Sequence, residues 1–299
     1  MSSVYDSHIH LYPCNYETPD QFRAKAKDVG LAGGLLFSFP PKNSLLWKGT
    51  EAPEWKDRVT GVLDFCSKLE GYHPFYWLDP TEPNAPEQIE YAKNAGIEGF
   101  KVLCSRHHPA DGIPAYRKAA EYRMPIVFHS GILWDGMPSS QFNRPGNFEC
   151  MFDVPYCRFA LAHFSWPWTD ENLAIFGKIR DAHQLRKDAP DMYIDTSWGA
   201  MDIFREEIYR KIVLMRHGFE NKVMFAVDSF ANGYNVAWAK YTMEFDRKLL
   251  CETLPGKYGN WRGYVPPEME GLPPEDLNPF RKLWVNATTK NMLEFLKPW

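Results

Sequence analysis

Apolar and polar positions in this chain change over in short runs. Eight runs of strand length recur: Val4–His10, Gly33–Phe39, Tyr72–Leu78, Gly99–Cys104, Pro125–Gly131, Arg158–Phe164, Met192–Ser197 and Lys222–Ser229. Each is rich in β-branched or aromatic residues, as strands are. Between them the apolar spacing widens to that of amphipathic helices, at Gln21–Val29, Ala85–Ala95, Ala115–Glu121, Glu171–Ala182 and Asp202–His217. Thr18-Pro19 reads as a helix start, with the hydroxyl as N-cap and the proline in the first turn.

Strands that alternate with helices pair in parallel, either as an open doubly wound sheet or as a closed barrel. The count of eight, and the lack of a Gly-rich phosphate loop after the first run, predict a (β/α)8 TIM barrel with residues 1–299 as one domain. Two segments read as insertions. Pro40–Pro53 carries Trp47. Asn232–Asn278 contains a helix over Val236–Leu250 and then a Pro/Gly-rich run, Leu254–Pro274. Both follow strands, so both are expected at the C-terminal mouth of the barrel, where active sites sit.

Composition narrows the class. Of 299 residues, 44% are hydrophobic and 24% charged, which suits one large buried core. A net charge of -4 gives no electrostatic footprint for nucleic acid. No apolar run approaches the roughly 20 residues of a bilayer span, and no basic-then-apolar leader precedes Asp6. Six scattered cysteines without a CxxC pair fit reduced thiols. The expectation is a cytoplasmic protein that acts on a small molecule, without nucleic acid or membrane as partner. A homodimer is allowed, because the long segment after strand eight offers apolar surface.

The candidate chemistry starts at His8 and His10. Two positions apart on a strand, both rings face one side, which inside a barrel is the interior. His129, His163 and Asp228 fall near the ends of strands five, six and eight. Strand ends converge on one mouth, and buried His and Asp need partners. One divalent metal ion accounts for all five residues.

Four segments carry a family resemblance: DSHIH at 6–10, VFHSG at 127–131, LAHFSWP at 161–167 and FAVDSF at 225–230. With the closing VNATTKNMLEFL at 285–296, the set resembles the amidohydrolase superfamily, in the branch of aminocarboxymuconate semialdehyde decarboxylase-like metal-dependent hydrolases (amidohydrolase 2). One position departs: the branch commonly shows Gly-Ser-Asp at strand eight, and here the residues are Ala226, Val227 and Asp228. The resemblance implies that His8, His10, His129 and Asp228 bind one metal, usually zinc, with His163 as the nearby acid/base and Asp228 as proton acceptor.

The implied activity is metal-dependent hydrolysis or decarboxylation of a small carboxylated or cyclic (lactone or amide) substrate through a metal-activated water. Lys101, on strand four, occupies the place of the carboxylated lysine of two-metal relatives. A second metal requires that modification; otherwise Lys101 is a substrate-side ammonium. Arg106 after strand four, Trp134 after strand five and Trp198 after strand seven are further substrate-binding candidates, for an anionic group and a planar body. Two alternatives stand beside this reading. One is a TatD-type nuclease or phosphoesterase, which would want a bridging glutamate and a basic surface; the other is a non-catalytic metal-binding barrel.

Overall fold

The computed structural model describes residues 4–47, 50–215, 217–258 and 278–298. All its strands are parallel and run in sequence order around one sheet. They are β1 (Val4–His10), β2 (Leu31–Phe37), β3 (Tyr72–Leu78), β4 (Gly99–Val102), β5 (Ile126–Phe128), β6 (Arg158–Leu161), β7 (Asp191–Asp195) and β8 (Val223–Met224), with a short β9 (Ser229–Phe230). Two of the eight runs read from sequence, Val4–His10 and Tyr72–Leu78, match their strands end to end.

The eighth run is not one strand, and this corrects the expectation. Near its start, β8 pairs with β7, and its last residue, Ser229, opens β9, which pairs with β1. Between them the chain crosses from one neighbour to the other. Ser7 N–H donates to the Phe225 carbonyl at 2.9 Å, and Val227 N–H donates to Asp6 Oδ1 at 3.0 Å. These bonds join first and last strands, so the sheet closes as a (β/α)8 barrel.

Side-chain parity fills that barrel. Leu35, Phe37, Phe75, Val127, Ala160, Tyr193 and Met224 form one inner cluster, completed by Met292 and Phe295. The last two come from a terminal helix and plug the N-terminal end of the barrel. The alternate residues, among them Leu36, Tyr76, Phe100, Phe128, Phe159 and Ile194, face the helices in a second, larger core.

The helices are α1 (Pro19–Val29), α2 (Trp55–Cys66), α3 (Ala85–Ala95), α4 (Ile113–Glu121), α5 (Thr169–Leu185), α6 (Asp202–Leu214), α7 (Val236–Lys248), α8 (Leu254–Tyr258), α9 (Pro279–Val285) and α10 (Asn291–Leu296). α1 starts at the expected cap: Gln21 N–H donates to Thr18 Oγ1 and the Gln21 side chain accepts from Thr18 N–H. It stops at Gly30, whose φ of 88° suits glycine.

Three sequence readings need amending. α2 has no counterpart in them; it is amphipathic enough to bury Arg58, Val59, Val62 and Cys66, but its Trp55-Lys56-Asp57-Arg58 start reads as loop. The 40–53 segment sits at the mouth as expected, yet Trp47 is buried and its Nε1–H donates to the Pro41 carbonyl at 2.9 Å. Trp47 packs, while Pro41, Asn43, Ser44, Leu45 and Leu46 of the same segment line the mouth. Finally, α7 is the ordinary eighth barrel helix and no insertion. It lies beside α1, with Lys240 Nζ 2.9 Å from Asp28. Of the Pro/Gly-rich run 254–274, only the helical stretch Leu254–Tyr258 belongs to the described residues; the remainder lies outside them. Among the described residues no helix is long and apolar enough to cross a membrane.

Candidate metal centre

Strand closure brings three groups together. The donor atoms of His8, His10 and Asp228 all lie within 4.8 Å of one another. His8 Nε2 and His10 Nε2 are 3.1 Å apart, and Asp228 Oδ1 is 3.8 Å from each. The two rings share a side because they are two residues apart on β1; Asp228 reaches them from the crossing segment between β8 and β9. Below them, Phe37 packs edge-on against both imidazoles, and Trp77 lies 4.9 Å from His10.

The other predicted residues face the same space. His129 and His163 stand beside the triad, joined to each other by a 3.0 Å bond between His163 Nε2 and His129 Nδ1. His163 Nδ1 is 4.0 Å from Asp228 Oδ2. Lys101 points inward, its Nζ 3.4 Å from His8 Nε2 and over the Phe37 ring. Together with Arg106, Trp134 and Trp198, all of them line one cavity of about 990 Å³. Trp134 and Trp198 are exposed at its rim, 71% and 43% respectively. Arg144, by contrast, is tied to Glu171 outside the cavity.

Asp195 organises this group from behind. Its Oδ2 accepts from His8 Nδ1 at 2.8 Å, and its Oδ1 accepts from the backbone N–H groups of His163 and Ser197, each at 3.0 Å. Asp6 does the same one layer down, accepting from the N–H groups of His8 and Val227. Two site residues are held in the left-handed region that non-glycine residues avoid: His163 at φ 61° and Asp228 at φ 60°. Gly199 makes the first possible, because a Cβ there would meet the His163 Cβ at 2.5 Å.

Burial sets the charge states. It drives His8, His10 and His163 well below the ordinary imidazole value and His129 down to about 3, so all four rings are neutral at pH 7. Burial raises Asp228 to about 7 and lowers Lys101 to about 8; each charge favours the other's. Asp228 keeps 31% of its side chain open to the cavity, but the enclosing walls leave it poorly solvated. Neutral imidazoles beside a carboxylate are a donor set for a divalent first-row metal. His129 Nε2 is buried with no hydrogen-bond partner, an acceptor that coordination would satisfy. The residues therefore fit a metal ion.

Sequence reasoning missed Ser197, Phe37, Trp77 and Asp6. Parity along the strands was the available signal: each sits two residues from a polar or apolar position already known to face inward.

The family profile described as "Amidohydrolase" matches residues 5–234, the stretch from the first strand through the crossing segment that carries Asp228. The chain belongs to the amidohydrolase family. Solved structures agree at the level of fold. A protein assigned as a metal-dependent hydrolase from Lactobacillus casei superposes with a TM-score of 0.54 at 12% identity, covering 98% of this chain and 95% of its own. One assigned as a 2-pyrone-4,6-dicarboxylic acid hydrolase from Pseudomonas putida gives 0.55 at 12% identity, covering 85% and 93%. A TIM-barrel protein from Bordetella bronchiseptica gives 0.53 at 13%, covering 81% and 91%. No curated protein matches the sequence. As a family member this amidohydrolase carries a metal-dependent hydrolase fold, and its His8, His10 and Asp228 form a group able to hold the metal.

Proposed function

We propose that this amidohydrolase hydrolyses a small lactone, ester or amide that bears a carboxylate. The observation that carries the reading is the His8–His10–Asp228 cluster at the base of a cavity whose rim holds an arginine and two exposed tryptophans. His8, His10, Asp228 and His129 would hold one divalent ion, zinc first by family resemblance. Such an ion, when bound, lowers the pKa of water toward neutrality and polarises a carbonyl oxygen.

The chain's own groups supply the rest. Asp228, the carboxylate of the cluster, is placed to accept a proton from the attacking water and to return it to a leaving group. His163, bonded through its two ring nitrogens to Ser197 and His129, borders Asp228 and holds His129 in place. Lys101 and Arg106 are cations placed at two depths of the cavity, and either can hold a substrate carboxylate. Trp134 and Trp198 wall a planar body and exclude water. The assigned substrate of the Pseudomonas putida neighbour, a pyrone dicarboxylate, is a lactone of this chemistry; at 12% identity that likeness is one of fold.

The test is metal analysis of protein purified without added metal, followed by three assays. Close to one equivalent of metal, its loss in His8→Ala, and opening of carboxylated lactones support the reading. Release of carbon dioxide instead makes the enzyme a decarboxylase. Cleavage of bis-p-nitrophenyl phosphate makes it a phosphoesterase. Two equivalents would point to a carboxylated Lys101, and none would overturn the proposal.

A further inference from the structure

Four of the site's side chains are linked by hydrogen bonds whose directions can be worked out from donor counts. Asp195 Oδ1 already accepts two backbone N–H groups, from His163 and Ser197, so no carboxyl proton can sit on that oxygen. The Ser197 hydroxyl contacts this same Oδ1 and also His163 Nδ1, at 2.8 Å. A hydroxyl has one hydrogen. Facing an atom that can only accept, it donates to Asp195. Ser197 Oγ is then left to accept, so the 2.8 Å bond requires a proton on His163 Nδ1.

An imidazole that carries one proton, here on Nδ1, has a lone pair at Nε2. That atom lies 3.0 Å from His129 Nδ1, which must therefore be the donor. The remaining ring atom, His129 Nε2, is buried without a partner, where an N–H would be an unsatisfied donor, so it keeps a lone pair. The other oxygen of Asp195 fixes His8 directly: Nδ1 donates, and Nε2 is left as a lone pair.

We propose that Ser197 is a positioning residue: with Asp195 it sets the proton order His129 to His163 to Ser197 to Asp195, which leaves Nε2 of His129 free to coordinate. One carboxylate then dictates the tautomers of three histidines, His8 by contact and the other two through the serine. The proton order stands on hydrogen-bond accounting with one proton on each ring. Its consequence for metal binding rests on the function proposed above.

The test is nitrogen-15 NMR of histidine side chains in metal-free protein at pH 7.5, with signals assigned by single His→Gln variants. The expected result is Nδ1–H, with unprotonated Nε2, for His8, His129 and His163 in the wild-type protein. A proton on Nε2 of His163 or His129 would overturn the proposal without need of any variant. In Ser197→Ala, His163 and His129 should become mixtures of tautomers while His8 stays fixed; Ser197→Thr should restore the wild-type order. Unchanged tautomers in a folded Ser197→Ala protein would also overturn it. Zinc affinity, read by competition with a chromophoric chelator, should weaken about tenfold in Ser197→Ala and recover in Ser197→Thr. Loss of that recovery alongside an intact proton order would sink only the link to metal binding.

Discussion

His163 shows how much of the site depends on single backbone positions. Its φ of 61° is affordable because Gly199 leaves room for its Cβ and because Asp195 accepts its N–H. A methyl group at 199 would press on that Cβ from 2.5 Å, tighter than real contacts allow. Gly199→Ala is therefore expected to shift the ring off Ser197 and His129 and to lower kcat at least tenfold, while β-sheet content by circular dichroism is kept. Wild-type turnover in that variant would show that the position of His163 does not matter to the reaction. The polar residues at this scale were legible in the sequence, because His8, His10, His129, His163 and Asp228 fall at strand ends in a mostly apolar pattern. Ser197 was not: a serine after a strand is ordinary, and its importance comes from a hydrogen bond made 34 residues away.

Elements are held to one another by polar contacts as well as by the apolar core. Arg205 of α6 is fully buried, and its Nε donates to Asp246 Oδ1 of α7 at 2.7 Å. A second guanidinium nitrogen also meets Asp246, a third donates to the Thr196 carbonyl at the end of β7, and Tyr209 completes the set. Removing the carboxylate leaves a buried cation unpaired. Asp246→Asn should cost about 3–5 kcal/mol, measured by urea unfolding, and Asp246→Asn with Arg205→Met should recover part of that loss. A cost under 1 kcal/mol would mean that water reaches the pair. Sequence pattern located most of these elements because buried strands and amphipathic helices differ in period. It failed at α2, where charged residues open the helix, and at the eighth strand. There Phe225–Asp228 is apolar enough to read as strand, but its hydrogen bonds change partner midway.

For the whole molecule, the buried titratable groups decide how stability responds to pH. Four imidazoles are held neutral by the fold, so unfolding lets them take up protons once the pH drops below about 6.5. Their contribution is complete above that pH and is lost as acid is added. Asp6 and Asp228 act oppositely: raised to about 7, they favour the fold between about pH 4 and 7 as the pH falls. Four rings against two carboxyls leave a net uptake of roughly two protons on unfolding, or about 2.7 kcal/mol per pH unit between pH 4 and 6.5. Tm of the metal-free protein, followed by calorimetry, should fall steeply on acidification through that window; a flat or rising Tm would contradict the assigned charge states. The divided eighth strand gives the cluster another meaning. His8 and Asp228 are 220 positions apart and sit on the two edges that close the barrel. An ion gripped by both would be a cross-link around a ring of that length, and confining the unfolded chain to such a ring is worth roughly 5 kcal/mol in chain-entropy terms. The atom that performs the chemistry would then also be the clasp of the fold, so that stripping it should loosen the seam between β1 and β9 before any other part of the barrel.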